Sequence, residues 1–309
     1  MSTALIGIFF SLLALGFWGF GDFYIQKTTR LIGSWKTTFY IGAIGSVLLF
    51  PFVVKELPQL SWSEIKLLFI FSFLTLIASI LFFEALRKGK MAVIEPIVSL
   101  ELPIVVALSV FLRGESLHMP QFLLMAIIFA GSLLITTFKQ TQKTFSSPPQ
   151  HAIQKRKVLY VLEKGIFLAV LGAFGAAGIS FMIGVGSQDI SPLVTLWFIE
   201  TFLVVFTVSY FVLKGEGEWK NLWAEVRHHP RIILLQGILD NAAWLAYGIA
   251  TTWVSISVAM TVSQGYIVLA VLLGLILNHE KITFLQKVGI GLSVGGILAL
   301  SVLVADHFV

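Results

Sequence analysis

The sequence predicts an all-α, polytopic membrane protein of ten transmembrane helices, arranged as two inverted five-helix repeats. Three observations predict it. Hydrophobic residues make up 57% of the 309 residues and charged residues only 12%, too few charges to cover a water-soluble surface. The apolar residues come in runs of about twenty, enough to cross a hydrocarbon core of about 30 Å at about 1.5 Å per residue. The second half of the chain also repeats part of the first without a gap.

The apolar stretches fall at 4–26, 34–54, 65–86, 91–112, 119–138, 162–185, 191–213, 231–252, 255–277 and 283–304. Nine prolines and 26 glycines fit this assignment, because bilayer helices tolerate both where neighbours satisfy the freed backbone groups. The first stretch lacks a basic n-region and a small-residue cleavage site, so it reads as a retained helix rather than a signal peptide. A polar connection at 139–161, with Ser146 to Pro149 followed by Lys155, Arg156 and Lys157, divides a first unit (1–138) from a second (162–309). Another, at 214–230, is amphipathic and rich in Glu, Lys and Trp.

The absence of cysteine excludes disulfides, thiolate metal sites and cysteine nucleophiles. The net charge of +5 sits in the loops, so it reads as a topology signal and not as a nucleic-acid footprint. Loops after the odd-numbered stretches hold 18 of the 21 lysines and arginines; only Lys55, Lys66 and Arg113 lie on the other side. This bias predicts a multi-pass protein of the cell membrane, inner or plasma, with both termini outside the cytoplasm.

A shift of 165 positions aligns 85–136 with 250–301. Ala85 meets Ala250, Val106 meets Val271, Leu112 meets Leu277, Glu115 meets Glu280, Gln121 meets Gln286, Gly131 meets Gly296 and Leu133 meets Leu298. A weaker match at a shift of 156 sets Gly16 on Gly172 and Gly19 on Gly175. An odd number of crossings inserts the second copy upside down, and inverted repeats place a solute site between the copies near midplane.

These features resemble the EamA-type transporters of the drug/metabolite transporter superfamily. The residues that carry the likeness are WGFGDF at 18–23, ALRKGKMAVIEPIVSLELP at 85–103, RGE at 113–115, Gly131, and HEK with the glycine-rich stretch at 279–296. The resemblance covers essentially the whole chain. It implies a carrier of ten helices in two repeats with no ATPase domain. It also implies both termini in the cytoplasm, against the charge count. The second half departs from the pattern where Pro96 and Pro103 fall opposite Thr261 and Val268.

Ionisable groups at bilayer depth are costly unless they face a polar interior, and so mark function. Glu101, Glu200 and Asp240 each lie about nine or ten residues into an apolar stretch, roughly 14–15 Å deep. Asp22, Glu84 and Glu95 are shallower, near Arg87, Lys88 and Lys90. No Lys or Arg accompanies the deep three, so they are expected to attract a cation or hold exchangeable protons. Burial favours the neutral form of a carboxyl group, which lets it take up and release a proton near neutral pH. The bland alternative is a structural acid satisfied by helix–helix hydrogen bonds.

Aromatics accompany the acids. Asp240, Trp244 and Tyr247 share a helix face at i, i+4, i+7, with Asn241 beside it. Trp197 lies one turn before Glu200, and Gln264 and Tyr266 fall mid-stretch; Trp18 precedes an expected break in the first helix. Aromatic rings beside carboxylates suit organic cations, although packing or lipid contact explains single aromatics equally well. Trp35, Trp62, Trp219 and Trp223 lie near stretch ends, as an interfacial belt does. Pro96 and Pro103, seven residues apart, offer hinges or a static kink. Gly291-xxx-Gly295 and Gly131-Ser132 assign helices 10 and 5 to scaffolding or a homodimer contact.

Other chemistries fit poorly. Gly19-Phe20-Gly21-Asp22 spells the GxGD of intramembrane aspartyl proteases, but nothing upstream supplies a second membrane aspartate and no Pro-Ala-Leu follows. Gly289-x-Gly291 sits inside an apolar helix with no preceding strand, so it reads as packing. His228 and His229 read as solvated. No Walker A, zinc spacing or nucleophile elbow occurs, so no enzyme, cofactor or metal is expected. The expected function is proton-coupled export of a small cationic or zwitterionic solute by alternating access. A lipid-translocating or auxiliary subunit of the same fold is the alternative.

Overall fold

The computed structural model describes residues 3–88, 97–137, 152–269 and 283–306. Regular structure among them is entirely helical. The α-helices are α1 (Thr3–Ile32), α2 (Ser34–Val53), α3 (Trp62–Lys88), α4 (Glu101–Arg113), α5 (Met119–Thr137), α6 (Ala152–Asp189), α7 (Pro192–Lys214), α8 (Glu216–His228), α9 (Pro230–Thr251), α10 (Ile256–Ser263) and α11 (Phe284–Asp306). Seven are long and apolar enough to cross a membrane, and shorter apolar helices cover Met119–Ile135 and Ile256–Leu269. The outward faces carry large hydrophobic side chains, with Phe111 83% and Leu213 87% exposed. Lipid, not water, suits such a surface. The chain is a polytopic membrane protein.

Several boundaries differ from the expected ones. The connection expected at 139–161 is partly helical, because α6 starts at Ala152 on a run of good helix formers, Gln154 to Glu163, with no Gly or Pro. The segment 214–230 closes as a helix of its own, α8, between Gly215 (φ 105°) and Pro230. The expected break after Trp18 does not exist, since α1 runs unbroken to Ile32. Gly19 and Gly21 serve close packing there: a Cβ on Gly19 would meet Leu269 at 2.7 Å, and one on Gly21 would meet Leu239 at 3.5 Å.

The most extensive pairings are α1 with α9, α3 with α6, α2 with α7 and α5 with α11. Each joins a helix before residue 138 to one after 151. Exchanging α1 for α6 and α3 for α9 turns the first pair into the second, while α2–α7 and α5–α11 map onto themselves. Missing side chains permit the close approaches, as bilayer packing requires. On α2, a Cβ at Gly42 would lie 2.8 Å from the Glu200 carbonyl oxygen.

Between α5 and α11, a Cβ on Gly131 would strike Ser293 Oγ and lie 2.8 Å from the Gly289 carbonyl oxygen. Gly291 and Gly295, picked out by spacing, meet nothing within 4 Å; Gly289, Ser293 and Gly296 make the contact instead. Gly131→Leu is therefore expected to destabilise the fold by about 2 kcal/mol or more, read as a lower midpoint of thermal unfolding in detergent. An unchanged midpoint would contradict this packing.

Two helices are interrupted at matching places. Before α4 the chain turns at Ser99–Leu100, and after α10 it turns at Gln264–Gly265. The amide of Leu100 donates to Ile97 O (3.1 Å), Leu102 to Ser99 O (3.4 Å) and Ile104 to Leu100 O (3.4 Å). The same three bonds recur 165 residues later: Gly265 to Val262 O (3.1 Å), Ile267 to Gln264 O (3.3 Å) and Leu269 to Gly265 O (3.3 Å). Pro103 has no amide hydrogen to place in this turn. The second interruption forms without a proline, so this turn geometry does not require one. Pro96 and Glu95 lie outside the described residues.

Candidate functional site

The two interruptions flank a central cavity of about 100 Å³. Trp18, Asp22 and Ile25 of α1 line it, with Thr38 and Ile41 of α2, and Thr75, Ser79, Phe82 and Phe83 of α3. Glu101 opens α4 at the first interruption, and Tyr266 follows the second at the position 165 residues on. Both line the cavity. Glu200 of α7 and Asp240 and Trp244 of α9 complete the acidic and aromatic wall. Among the described residues, four carboxylic side chains line this space and no Lys, Arg or His does.

The acids are held differently. Glu101 accepts a 2.6 Å hydrogen bond from Ser180 Oγ of α6, and Tyr247 donates to the Ser180 carbonyl oxygen at 3.1 Å. Asp240 lines the cavity together with Trp244, one turn on along α9. Glu200 is 3% exposed, and its Oε2 is buried without a donor. Glu84 is set apart, bonded to Ser34 Oγ (2.9 Å) and Arg87 (2.8 Å).

The aromatic residues cluster around Trp18. Its ring lies 4.9 Å from Trp244, 5.7 Å from Tyr247 and 6.3 Å from Tyr266, with edge or tilted geometries that aromatic pairs favour. Tyr247 is fully buried behind the cavity wall. Trp197 does not join the group: its indole Nε1 donates to Ser46 O of α2 at 3.1 Å and its ring lies 6.1 Å from Phe50. Gln264 sits in the second interruption, 1% exposed, both amide atoms without a hydrogen-bond partner among the described residues. Of the supposed belt, Trp62 and Trp223 are exposed. Trp35 instead stacks on Tyr210 at 3.7 Å, and the side chain of Trp219 lies outside the described residues.

Polar contacts tie helices together at one end of the molecule. Gly114 (φ 68°) caps α4 in the left-handed conformation, which glycine adopts without penalty. The turn sends Glu115 across to the start of α10. Glu115 Oε1 accepts from the Ile256 amide (2.6 Å), and Oε2 accepts from the Ser257 amide (3.2 Å) and Ser257 Oγ (2.6 Å). A carboxylate is well placed at a helix N-terminus. Beside it Arg113 grips Asp189 at 2.8 and 2.9 Å and Gln188 at 3.1 Å. The sequence marked Glu115 as a repeat anchor but gave no partner for it, and Ser180 was missed. A serine two residues past the Gly/Ala-rich run 172–178 of α6 was the available signal.

The chain matches the family described as the EamA-like transporter family over residues 5–137 and 163–302. It is also 28% identical over 141 residues to an uncharacterized protein of Methanocaldococcus jannaschii, covering 44% of this chain and 98% of that one. A crystal structure described only as that of a protein resembles it with a TM-score of 0.71 at 15% identity, over 97% of this chain and 98% of the other. That likeness is one of fold alone.

Proposed function

The chain belongs to the EamA-like transporter family, within the drug/metabolite transporter superfamily, and from that premise we propose that it is a secondary active carrier of a small cationic or zwitterionic solute, coupled to protons and working by alternating access. The single observation that carries the substrate class is the cavity: among the described residues that line it there are four acids and no base, with a wall containing Trp18, Trp244 and Tyr266. In a low-dielectric space such a lining favours positive charge, and ring faces add to it for organic cations. Glu101, Glu200 and Asp240 bind the solute or the coupling proton.

Two inverted five-helix units, 1–138 and 162–309, form the scaffold in this reading. The self-mapping helix pairings and the three backbone bonds recurring at a shift of 165 support it. So does the short relative, which aligns over almost its whole length to less than half of this chain. The cavity approaches the Lys27 and Arg87 end along α1 and α3, while Glu115 and Arg113 close the other end. That asymmetry is what one state of an alternating carrier requires.

The test is uptake and counterflow in proteoliposomes across amino acids, amines and small aromatic cations such as benzyltrimethylammonium, with and without a pH gradient. Accumulation of cations or zwitterions, increased by the gradient, is expected. Accumulation of anions alone, indifferent to amide replacement of Glu101 and Asp240, would overturn the reading.

A further inference from the structure

Two buried oxygen atoms at the junction of α2, α7 and α9 lack a hydrogen-bond donor. One is Asn241 Oδ1 and the other is Glu200 Oε2. The amide of Asn241 cannot be turned to relieve this. Its Nδ2 donates to Ile41 O at 3.2 Å and Gly237 O at 2.9 Å, and both carbonyls are acceptors only. Oδ1 therefore has to point away from them, into the space beside α7.

Gly45 makes that space. A Cβ there would fall on Asn241 Oδ1 and lie 2.8 Å from Glu200 Cγ, so the two side chains share the volume that the glycine leaves empty. Buried acceptors left without donors are costly and rare. An ionised Glu200 is acceptor-only, whereas a protonated one carries an O–H. One proton on Oε2, donated to Asn241 Oδ1, satisfies both atoms. A metal ion would ask for several oxygen ligands, and no cluster of three or more acidic or histidine ligands exists among the described residues.

The charged surroundings agree. Asp240 of α9, Glu101 of α4 and Asp22 of α1 line the same cavity as Glu200. From α2 the group meets Gly42 and Gly45, and from α3 the cavity receives Thr75 and Ser79. Among the described residues, no basic side chain lines the cavity to hold Glu200 as an anion.

We propose that Glu200 is the proton-binding site of the protein, a carboxylic acid donating to Asn241 Oδ1 over Gly45, distinct from the cation-binding site at Asp240 and the Trp18–Trp244 rings. On release the Oε2–H bond breaks, the proton passes to a cavity water, and the carboxylate remains. The proton site stands on the geometry alone; its use in coupling rests on the carrier reading above.

Infrared difference spectra of the purified protein in nanodiscs, between acid and alkaline buffer, test the site without any solute. A protonated-carboxyl carbonyl band is expected in the native protein. It should lose a component in Glu200→Gln, and that component should move to higher frequency in Asn241→Leu, where the acceptor is gone. Spectra unchanged by both variants would overturn the proposal. If Glu200→Gln does not reach the membrane, isotope-labelled glutamate in the native chain, read against Asn241→Leu, decides the assignment; a labelled band indifferent to Asn241→Leu overturns it.

The coupling role is read with benzyltrimethylammonium in proteoliposomes. Whatever uptake Glu200→Gln retains should be equal with and without a pH gradient, and a gradient response of native size would refute that role. Failure of the native protein to move the probe, with the infrared band present, would count against the proposed substrate class and not against the proton site.

Discussion

Replacing Asp240 with asparagine is expected to lower uptake of a small organic cation by roughly ten- to a hundredfold. The substitution keeps shape and hydrogen-bonding capacity beside Trp244 but removes the charge. Two unit charges about 4 Å apart interact by about 4 kcal/mol at an effective dielectric constant of about 20. Desolvation of the cation offsets part of that, and about 2 kcal/mol of lost attraction corresponds to about thirtyfold. The loss should appear mainly as weaker apparent affinity, because the residue holds the solute in its ground state. An Asp240→Asn protein with native affinity for every cation it carries would remove Asp240 from the binding site.

The second large effect is expected from Glu115→Ala. Its carboxylate holds two amides and a hydroxyl at the start of α10. Hydrogen bonds to a charged group contribute about 1.5–3 kcal/mol each, less whatever water restores once the end opens. A net shift of about 2–3 kcal/mol would move the balance between closed and open forms by about 30- to 150-fold. Since the chain contains no cysteine, the measurement is direct. A single cysteine at Ile183, on the cavity wall, is treated with a membrane-impermeant thiol reagent from the Arg113 face. Labelling should rise by about tenfold or more in the Glu115→Ala background, and equal labelling rates would show that this contact does not close the end.

How much of this was legible beforehand differs by kind of feature. Depth in the bilayer was readable, because counting from the ends of apolar stretches fixes height along a helix. Glu101, Glu200 and Asp240 accordingly line one cavity. Rotation about the axis was much harder to read. A membrane helix is apolar all round, so periodicity does not say which face turns inward. Trp197 and Glu200, three residues apart, differ by about 60° around the axis, enough to point one at Ser46 and the other at the cavity.

Partners across helices were less legible still. That Gly45 makes room for Asn241, or that Ser180 reaches Glu101, depends on which helices are neighbours. Only the alignment at a shift of 165 hinted at that: Gly131 and Gly296, paired by it, both lie in the α5–α11 contact. Glycines near Trp18 misled for a related reason. In sequence a glycine pair signals flexibility, whereas here neighbouring helices crowd against it.

Because every major pairing joins an early helix to a late one, none of them can form in the bilayer until the second half of the chain is being made. When α5 leaves the ribosome, its partner α11 is still about 170 residues from completion, and the bare glycine faces of α2 and α5 have only lipid to meet. A nascent chain cut short before Phe284 would hold inserted but unmated spans, a natural substrate for membrane proteases.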